Sequence, residues 1–116
     1  MARDDYHVIA AKILKYLYEC LKEGKEVDAW SISAKELGIN QEYLDYIFKN
    51  LAESGYINGV VFGKTLGNTK TQVKIYYNRL EITPDGIAYL NENSIMKRAV
   101  GFLTDINDLI RIFKQS

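Results

Sequence analysis

The sequence predicts an α+β fold that is mainly helical. Two short helical patterns, at residues 33–38 and 40–55, are followed by two strand patterns, at 56–62 and 73–82, around a loop at 63–72. Helix, turn, helix and hairpin in this order are typical of a winged helix-turn-helix. We therefore expect a winged helix-turn-helix with a two-stranded wing and an added long C-terminal helix.

The length and composition fit one domain. The chain has 116 residues, of which 47% are hydrophobic, enough for a single core. We expect one winged-helix domain over residues 1–116, with a core at about 5–93 and a C-terminal helix at about 95–114. The short apolar runs predict neither a membrane span nor a signal peptide. Because the single cysteine, Cys20, cannot form an intramolecular disulfide, we expect a buried thiol and a cytoplasmic protein.

The first helix is predicted over residues 6–21. Apolar residues recur there at the spacing of an amphipathic helix with one buried face, and Glu23-Gly24 marks its end. His7, near the helix start, is expected to be a partly exposed surface residue. Residues 27–32 then predict a short edge strand, anchored in the core by Trp30.

The second short helix and the hairpin carry clear local signals. Asn40 is a good cap for this helix, and its buried stripe is predicted to be Leu44, Ile47, Phe48 and Leu51. Asn58-Gly59 interrupts the first strand, which predicts a bulge or bend. The alternation of the return strand slips by one residue near Asn78, so we expect a second irregularity there.

The last two helices are predicted from their starts. Thr83 is a capping residue and Pro84 occupies the first helical position, while Ser94 is expected to cap the final helix. The final helix has a wide apolar stripe whose main positions are Ala99, Leu103, Ile106, Ile110 and Phe113. Two alternatives stay open for this stripe, namely packing on the first helix or forming the interface of a homodimer. Its width and its position at the chain end favour the homodimer.

No pattern of catalytic or metal-binding residues emerges. His7 is the only histidine, so neither a His-based metal site nor a Cys–His pair has enough partners. Gly63-Lys64-Thr65 resembles the end of a phosphate-binding loop, but the required first glycine falls on Asn58 and a strand follows instead of a helix. We therefore expect no enzyme activity, no cofactor and no metal.

The charges are unevenly distributed although the formal net charge is zero. Residues 1–55 carry seven basic and ten acidic side chains, a balance of −3, whereas residues 56–82 carry four basic side chains against Glu81, a balance of +3. The basic excess therefore lies in the predicted hairpin.

Two surfaces are candidates for binding nucleic acid. On the second short helix, Gln41, Lys49 and Asn50 can hydrogen-bond base edges and Tyr46 can contact sugar or a thymine methyl group. Three carboxylates on the same face, Glu42, Asp45 and Glu53, weaken this hypothesis, and an ordinary solvated face is the alternative. In the wing, Lys64, Lys70 and Lys74 are suited to phosphate, or alternatively they only solubilise the hairpin.

The sequence also resembles a known family. Residues 51–59 (Leu-Ala-Glu-Ser-Gly-Tyr-Ile-Asn-Gly) and 80–97, which begin Leu-Glu-Ile-Thr-Pro-Asp-Gly, are similar to the YjcQ-like small winged-helix proteins of Gram-positive bacteria and their phages. The resemblance covers most of the chain and implies a winged helix, often near mobile elements, without catalytic or ligand residues. The long wing at 63–72 departs from the family pattern.

Two functions are expected as alternatives. The first is a nucleic-acid-binding regulator of transcription, linked to phages or mobile elements, that binds double-stranded DNA as a homodimer. The second is a winged-helix protein–protein interaction module that does not bind DNA. The acidic second helix and the zero net charge favour the second, and the basic wing favours the first.

Overall fold

The computed structural model describes residues 1–64, 66–67 and 70–105. Within these residues the fold is α+β and mostly helical, with five α-helices and two antiparallel sheets of two strands each. In chain order the elements are α1 (Tyr6–Glu23), α2 (Ala34–Leu37), α3 (Gln41–Glu53), β1 (Ile57–Asn58), β2 (Val60–Lys64), β3 (Thr71–Ile75), β4 (Glu81–Ile82), α4 (Pro84–Glu92) and α5 (Ser94–Asp105). This order is compatible with a winged-helix-like layout.

Helix α1 lies at the centre of the core. All of residues 8–14 are buried, including Lys12, because α3, α4, α5 and β4 pack around the helix. The sequence predicted only one buried face for this helix. The spacing of apolar residues identifies the most apolar side of a helix, but it does not show how many other elements pack against it. The predicted burial of Cys20 is confirmed, and α1 ends at Gly24 in the left-handed conformation, as expected.

The segment after α1 differs from the prediction. Residues Ala29–Ile32 form a 3₁₀ turn, because the Asp28 carboxylate accepts hydrogen bonds from the Trp30 N–H (3.2 Å) and from the Ser31 hydroxyl (3.1 Å). These two bonds turn the chain away from an extended path. Trp30 is 52% exposed, so its predicted role as a core anchor was wrong, and Ile32 fills the core instead.

The two short helices form where the sequence predicted them. The Ser33 hydroxyl accepts a hydrogen bond from the Glu36 N–H at the start of α2, and Asn40 Oδ1 accepts one from the Tyr43 N–H at the start of α3. Gly38 ends α2 with a φ of 72°, which glycine adopts without strain. The predicted buried stripe of α3 is confirmed at all four positions.

The predicted hairpin is divided into two sheets. Strand β1 pairs with β4, with Ile57 opposite Ile82, and β2 pairs with β3 from Val60–Ile75 to Lys64–Thr71. The break contains Gly59, whose φ is 98°, and a 3₁₀ turn at Tyr77–Arg79, and it is bridged by a hydrogen bond from the Tyr76 N–H to the Gly59 carbonyl. The bend predicted at Asn58-Gly59 and the irregularity predicted near Asn78 are therefore both confirmed. The β2–β3 ladder reaches Lys64 and Thr71, so its tip is shorter than the predicted loop at 63–72.

The start of α4 is fastened to the end of α3. The Thr83 hydroxyl accepts a hydrogen bond from the Gly86 N–H (3.0 Å) and donates one to the Gly55 carbonyl (2.6 Å). The Thr83 N–H donates to the Tyr56 carbonyl (3.0 Å), and Gly86 packs directly on that carbonyl group. The Tyr56 ring stacks on Tyr89 of α4 at a centroid distance of 4.2 Å. These contacts explain why the Gly-Tyr-Ile and Thr-x-x-Gly motifs occur together.

Helix α5 begins one residue earlier than expected. Asn93, not Ser94, is the cap, because Asn93 Oδ1 accepts hydrogen bonds from the Ile95 N–H (3.0 Å) and the Met96 N–H (3.1 Å). Helix α5 packs on α1 and α4 through Met96 and its neighbours along the buried stripe. The predicted C-terminal helix extends beyond residue 105 into a part of the sequence outside the described residues.

Candidate interaction surface on α3 and the β2–β3 hairpin

The buried stripe of α3 determines which of its side chains face outward. Seven residues lie on this outward side, which we term the α3 face: Gln41, Glu42, Asp45, Tyr46, Lys49, Asn50 and Glu53. The predicted binding residues Gln41, Tyr46, Lys49 and Asn50 are therefore all on one surface, and Tyr46 is 55% exposed there. A surface of this kind is available for recognition because it takes no part in the core.

A cleft separates this face from the β2–β3 hairpin. The hairpin turns its half-buried side, which includes Val60 and Val73, towards α3. The cleft has a volume of about 220 Å³, and its walls include Glu42, Asp45, Tyr46, Lys49, Lys70 and Thr71. The fold thus brings together three predicted binding residues from two separate parts of the sequence, namely Tyr46, Lys49 and Lys70.

The predicted lysines of the hairpin do not share one surface. Lys70 lies at the cleft, where its Nζ is 3.6 Å from Glu42 Oε1 and both side chains are largely exposed. Lys64 and Lys74 instead line a second, open cavity along the hairpin, and Lys74 also lies over the Tyr76 ring at 5.1 Å. The basic side chains of the hairpin are therefore divided between the cleft beside α3 and this second cavity.

The α3 face has a negative balance. Glu42, Asp45 and Glu53 carry three negative charges against the positive charge of Lys49. Gln41 is engaged within the face, because its amide Nε2 donates to Asp45 Oδ1 at 2.9 Å. Burial raises the pKa of Tyr77, and the nearby Asp45 carboxylate raises it further. The prediction that the outward side of α3 is acidic is therefore confirmed.

A group of tyrosines that the sequence did not predict overlaps the α3 face at Tyr46. We term it the tyrosine band, formed by Tyr6, Tyr43, Tyr46, Tyr56 and Tyr89. The Tyr6 and Tyr46 rings meet edge to face at a centroid distance of 6.2 Å. Helices α1, α3 and α4 and the turn after α3 contribute to the band, so no periodicity within one segment could reveal it. The only signal in the sequence was the high tyrosine content, nine residues in all.

The chemistry of Tyr6 shows how tightly the band is packed. Burial raises the pKa of Tyr6 from 10.0 to about 12, and the neighbouring phenols of Tyr89, Tyr46 and Tyr43 raise it in the same direction. The Asn50 side chain acts on this pKa in the opposite direction. Asn50, predicted as a reader of bases, therefore lies close to Tyr6.

The predicted dimer residues divide into two groups. Ala99 and Leu103 are completely buried on α5, which packs against α1, so these two side chains cover the chain's own core and present no surface to a partner. For this part of the stripe the packing alternative is correct. Ile106, Ile110 and Phe113 lie outside the described residues. The homodimer stays a prediction.

The described residues also bear on metal binding and on membrane insertion. Among the described residues no group of three or more His, Cys, Asp or Glu side chains could hold a metal ion. His7 is half-buried and contacts the Tyr6 ring. Within residues 1–64, 66–67 and 70–105, no helix combines the length and hydropathy needed to cross a bilayer.

Comparisons with known proteins add one assignment. No significant match was found among curated proteins or among solved structures. Among protein families, the one described as YjcQ protein matches residues 11–109, which is most of the chain and includes α3, the hairpin and the start of α4. The resemblance seen in the sequence is thereby confirmed, and the chain belongs to the YjcQ family.

Proposed function

We propose that this chain is a winged-helix protein–protein interaction module of the cytoplasm. In this assignment α2 and α3 form the helix-turn-helix, the β2–β3 hairpin is the wing, and α5 is the added C-terminal helix. The order of the elements and the position of the hairpin beside α3 support it. The partner would be a protein bound on the α3 face and the adjoining tyrosine band.

One observation carries this proposal: the surface that a DNA-binding winged helix would present to the duplex is acidic and aromatic here. Three carboxylates against one lysine would repel a phosphate backbone at the position where DNA contact requires cations. Exposed tyrosine, in contrast, is enriched in protein interfaces, where it provides large contact area at low entropic cost.

The polar groups on α3 support the same choice. The Gln41 amide donates a hydrogen bond to Asp45 Oδ1 at 2.9 Å, so one of the side chains suited to reading bases is already engaged. Reading a base edge would require Gln41 to give up this hydrogen bond, which is worth about 1 kcal/mol. This cost lowers the gain that a base contact could supply.

DNA binding through the wing is the second candidate, since Lys64, Lys70, Lys74 and Arg79 are all exposed. In this alternative the chain is a regulator linked to phages or mobile elements that holds phosphates with the wing and dimerises through its C-terminal helix. Because phosphate contacts depend steeply on salt, it predicts duplex binding at low ionic strength that Lys64→Glu with Lys74→Glu abolishes. If the wild type gives no salt-sensitive binding to mixed duplex DNA, this candidate fails.

The interaction module is tested by affinity capture with three baits from nuclease-treated extract. They are the wild type, a face variant on α3 (Glu42→Gln, Asp45→Asn and Tyr46→Ala) and a control variant. The control makes the same kinds of change near the C-terminal end of α1, the end opposite Tyr6 (Glu19→Gln, Glu23→Gln and Tyr18→Ala). We expect a protein that the wild type and the control retain and the face variant loses. Equal recovery on all three baits, or a protein recovered from untreated extract that nuclease treatment abolishes, contradicts the proposal.

A further inference from the structure

The second cavity, along the β2–β3 hairpin, differs in charge from the cleft beside α3. We term it the hairpin cavity; its volume is about 490 Å³, and its walls include Val61, Gly63, Lys64, Gln72 and Lys74. We propose that it binds an acidic segment of a partner protein in an extended conformation. This inference goes beyond the proposed function, because the walls of the hairpin cavity contain no residue of the α3 face.

The charge of the hairpin cavity is positive and unbalanced. Lys64 and Lys74 are the charged side chains among the described residues that line it. Neither ammonium forms an ion pair within the described part of the chain, whereas Lys22, Lys25 and Lys70 each have a carboxylate partner. A carboxylate brought by a partner would therefore pair with a cation here without breaking an existing ion pair.

A third cation lies beside the hairpin cavity. Lys74 Nζ is 5.1 Å from the centroid of the Tyr76 ring, and the Arg79 guanidinium is 5.8 Å from the same centroid. A cation over an aromatic ring keeps its charge, so this ring holds two cations near each other without neutralising them. Glu81, the acidic residue nearest to them in the sequence, accepts a hydrogen bond from Asn58 Nδ2 at 3.3 Å. The cationic surface therefore continues from the cavity to Arg79.

The wall of the cavity at Gly63 allows another chain to approach closely. Gly63 lies inside β2 without a positive φ, and a Cβ atom there would meet nothing within 4 Å. Neither the backbone conformation nor the packing of this chain therefore requires glycine at this position. A glycine inside a strand often marks a place where another backbone comes near. Val61, two residues earlier, is 60% exposed and offers an aliphatic contact beside it.

The shape of the hairpin favours an extended occupant. In the described part of the chain, β2 and β3 pair with each other and with no third strand, so each has an edge to which an extended segment can add. Side chains alternate along an extended segment, so acidic residues can meet the lysines while apolar residues meet Val61.

The same chemistry favours a protein segment over nucleic acid. A phosphate backbone would use the cations but would leave the exposed Val61 side chain without an aliphatic contact. The Tyr76 ring is half-buried and already in contact with Lys74 and Arg79, so it is a poor platform for a stacked base.

The experiment uses three labelled peptides of about six residues, close to the length of β2. They alternate glutamate with valine, glutamate with glycine, or lysine with valine. Fluorescence anisotropy at about 10 mM ionic strength gives the affinity, and amide chemical shifts locate the contact. We expect saturable binding of the glutamate–valine peptide with shifts at Val61, Gly63 and Lys74, weaker binding of the glutamate–glycine peptide, and no binding of the lysine–valine peptide.

A matched pair of variants tests the role of charge. Lys64→Gln with Lys74→Gln should weaken binding of the glutamate–valine peptide about fivefold, because it removes two exposed ion pairs. Lys15→Gln with Lys97→Gln makes the same change of net charge at another cavity, between α1, α4 and α5. This control should bind the peptide like the wild type.

Gly63→Ala tests the close approach. In the free protein it should not lower the urea midpoint, because the added Cβ meets nothing and alanine restricts the unfolded chain. It should nevertheless weaken peptide binding at least about fivefold, since the added atom occupies space that the peptide backbone needs. Val61→Ser should weaken the same binding about threefold through the lost apolar contact.

Four results would overturn the inference. They are the absence of saturable binding, a control variant that weakens binding as much as the lysine variant, a Gly63→Ala variant that binds like the wild type, and a single-stranded oligothymidylate of equal charge that displaces the peptide and binds more tightly. The last result would assign the cavity to nucleic acid. Because these variants leave the α3 face unchanged, failure here leaves the proposed function intact, and failure of the capture experiment leaves this inference intact.

Discussion

The close approach of Gly86 to Tyr56 and Ile82 gives the sharpest prediction about stability. Gly86 lies in the first turn of α4, and a Cβ atom there would overlap the Tyr56 carbonyl oxygen and lie 2.8 Å from Ile82 Cγ1. The carbonyl cannot turn aside without cost, because it accepts the hydrogen bond from the Thr83 N–H. Replacement by alanine must therefore shift α4 away from the β1–β4 sheet.

The magnitude follows from two opposing effects. Alanine in place of glycine favours a helix by about 1 kcal/mol. Forcing a side chain into a filled site costs about 1–3 kcal/mol, and a backbone obstacle places this site at the upper end. We expect Gly86→Ala to lower the free energy of unfolding by about 2 kcal/mol, measured by urea denaturation followed by circular dichroism.

Gly101 provides the matched control. It lies exposed in α5, and a Cβ there would meet nothing within 4 Å, so Gly101→Ala should raise the free energy of unfolding by about 0.5–1 kcal/mol. The two substitutions are chemically identical and differ only in the surrounding space. If Gly86→Ala is as stable as Gly101→Ala, the described packing of α4 on Tyr56 is wrong.

Three further predictions concern the same framework. Burial raises the folded pKa of Tyr6 to about 12, so between pH 10 and 12 the phenol ionises in the unfolded chain but stays protonated in the folded protein. The free energy of unfolding should therefore fall as the pH rises from 10 to 12. In urea titrations the wild type should lose about 1–2 kcal/mol more than Tyr6→Phe over this range. Asn93→Ala should cost about 1 kcal/mol and Ser94→Ala less than about 0.5 kcal/mol in thermal unfolding, and equal costs would contradict the assigned cap. Gly59→Ala should destabilise by at least about 2 kcal/mol in urea, because φ is 98° and its Cβ would lie 2.7 Å from Leu80 Cα; a neutral result would refute the close approach at the strand break.

Local signals in the sequence were sufficient for most of the framework. Asn40 and Thr83 were recognisable as caps because their residue types bond readily to a backbone N–H group nearby, and each accepts one from the residue three positions later. The break at Gly59 was visible because Asn58-Gly59 interrupts a run of strand-forming residues. The break near Asn78 was visible because the alternation of the return strand changes there. The interactions involved span few residues, so a short window of sequence contains them.

The misses have local causes of a different kind. Residues 27–32 have the composition of a strand, but the Asp28 carboxylate bonds to the backbone and hydroxyl groups that follow it and forms a turn. Asn93 and Ser94 are both good capping residues, and sequence alone could not choose between adjacent candidates. In each case neighbouring residues allow two local structures, and the hydrogen bonds of Asp28 and of Asn93 determine which one forms.

The candidate site was only partly predictable. The sequence identified the outward residues of α3 and their acidic balance, because helical periodicity relates each side chain to the buried stripe. It could not place Lys70 beside Glu42, since that pair depends on the angle between the hairpin and α3. It also missed the tyrosine band, whose members are separated by up to 83 positions in the chain.

The sequence by itself determined the order of helices and strands, most of their ends and the membership of the YjcQ family. These features rest on interactions between residues close together in the chain. Only the tertiary structure decided that α1 is surrounded, that Ala99 and Leu103 belong to the chain's own core, and that an acidic helix and a basic hairpin form one cleft. Periodicity orients a side chain about its own element, but the distance between two elements depends on how their buried faces pack together.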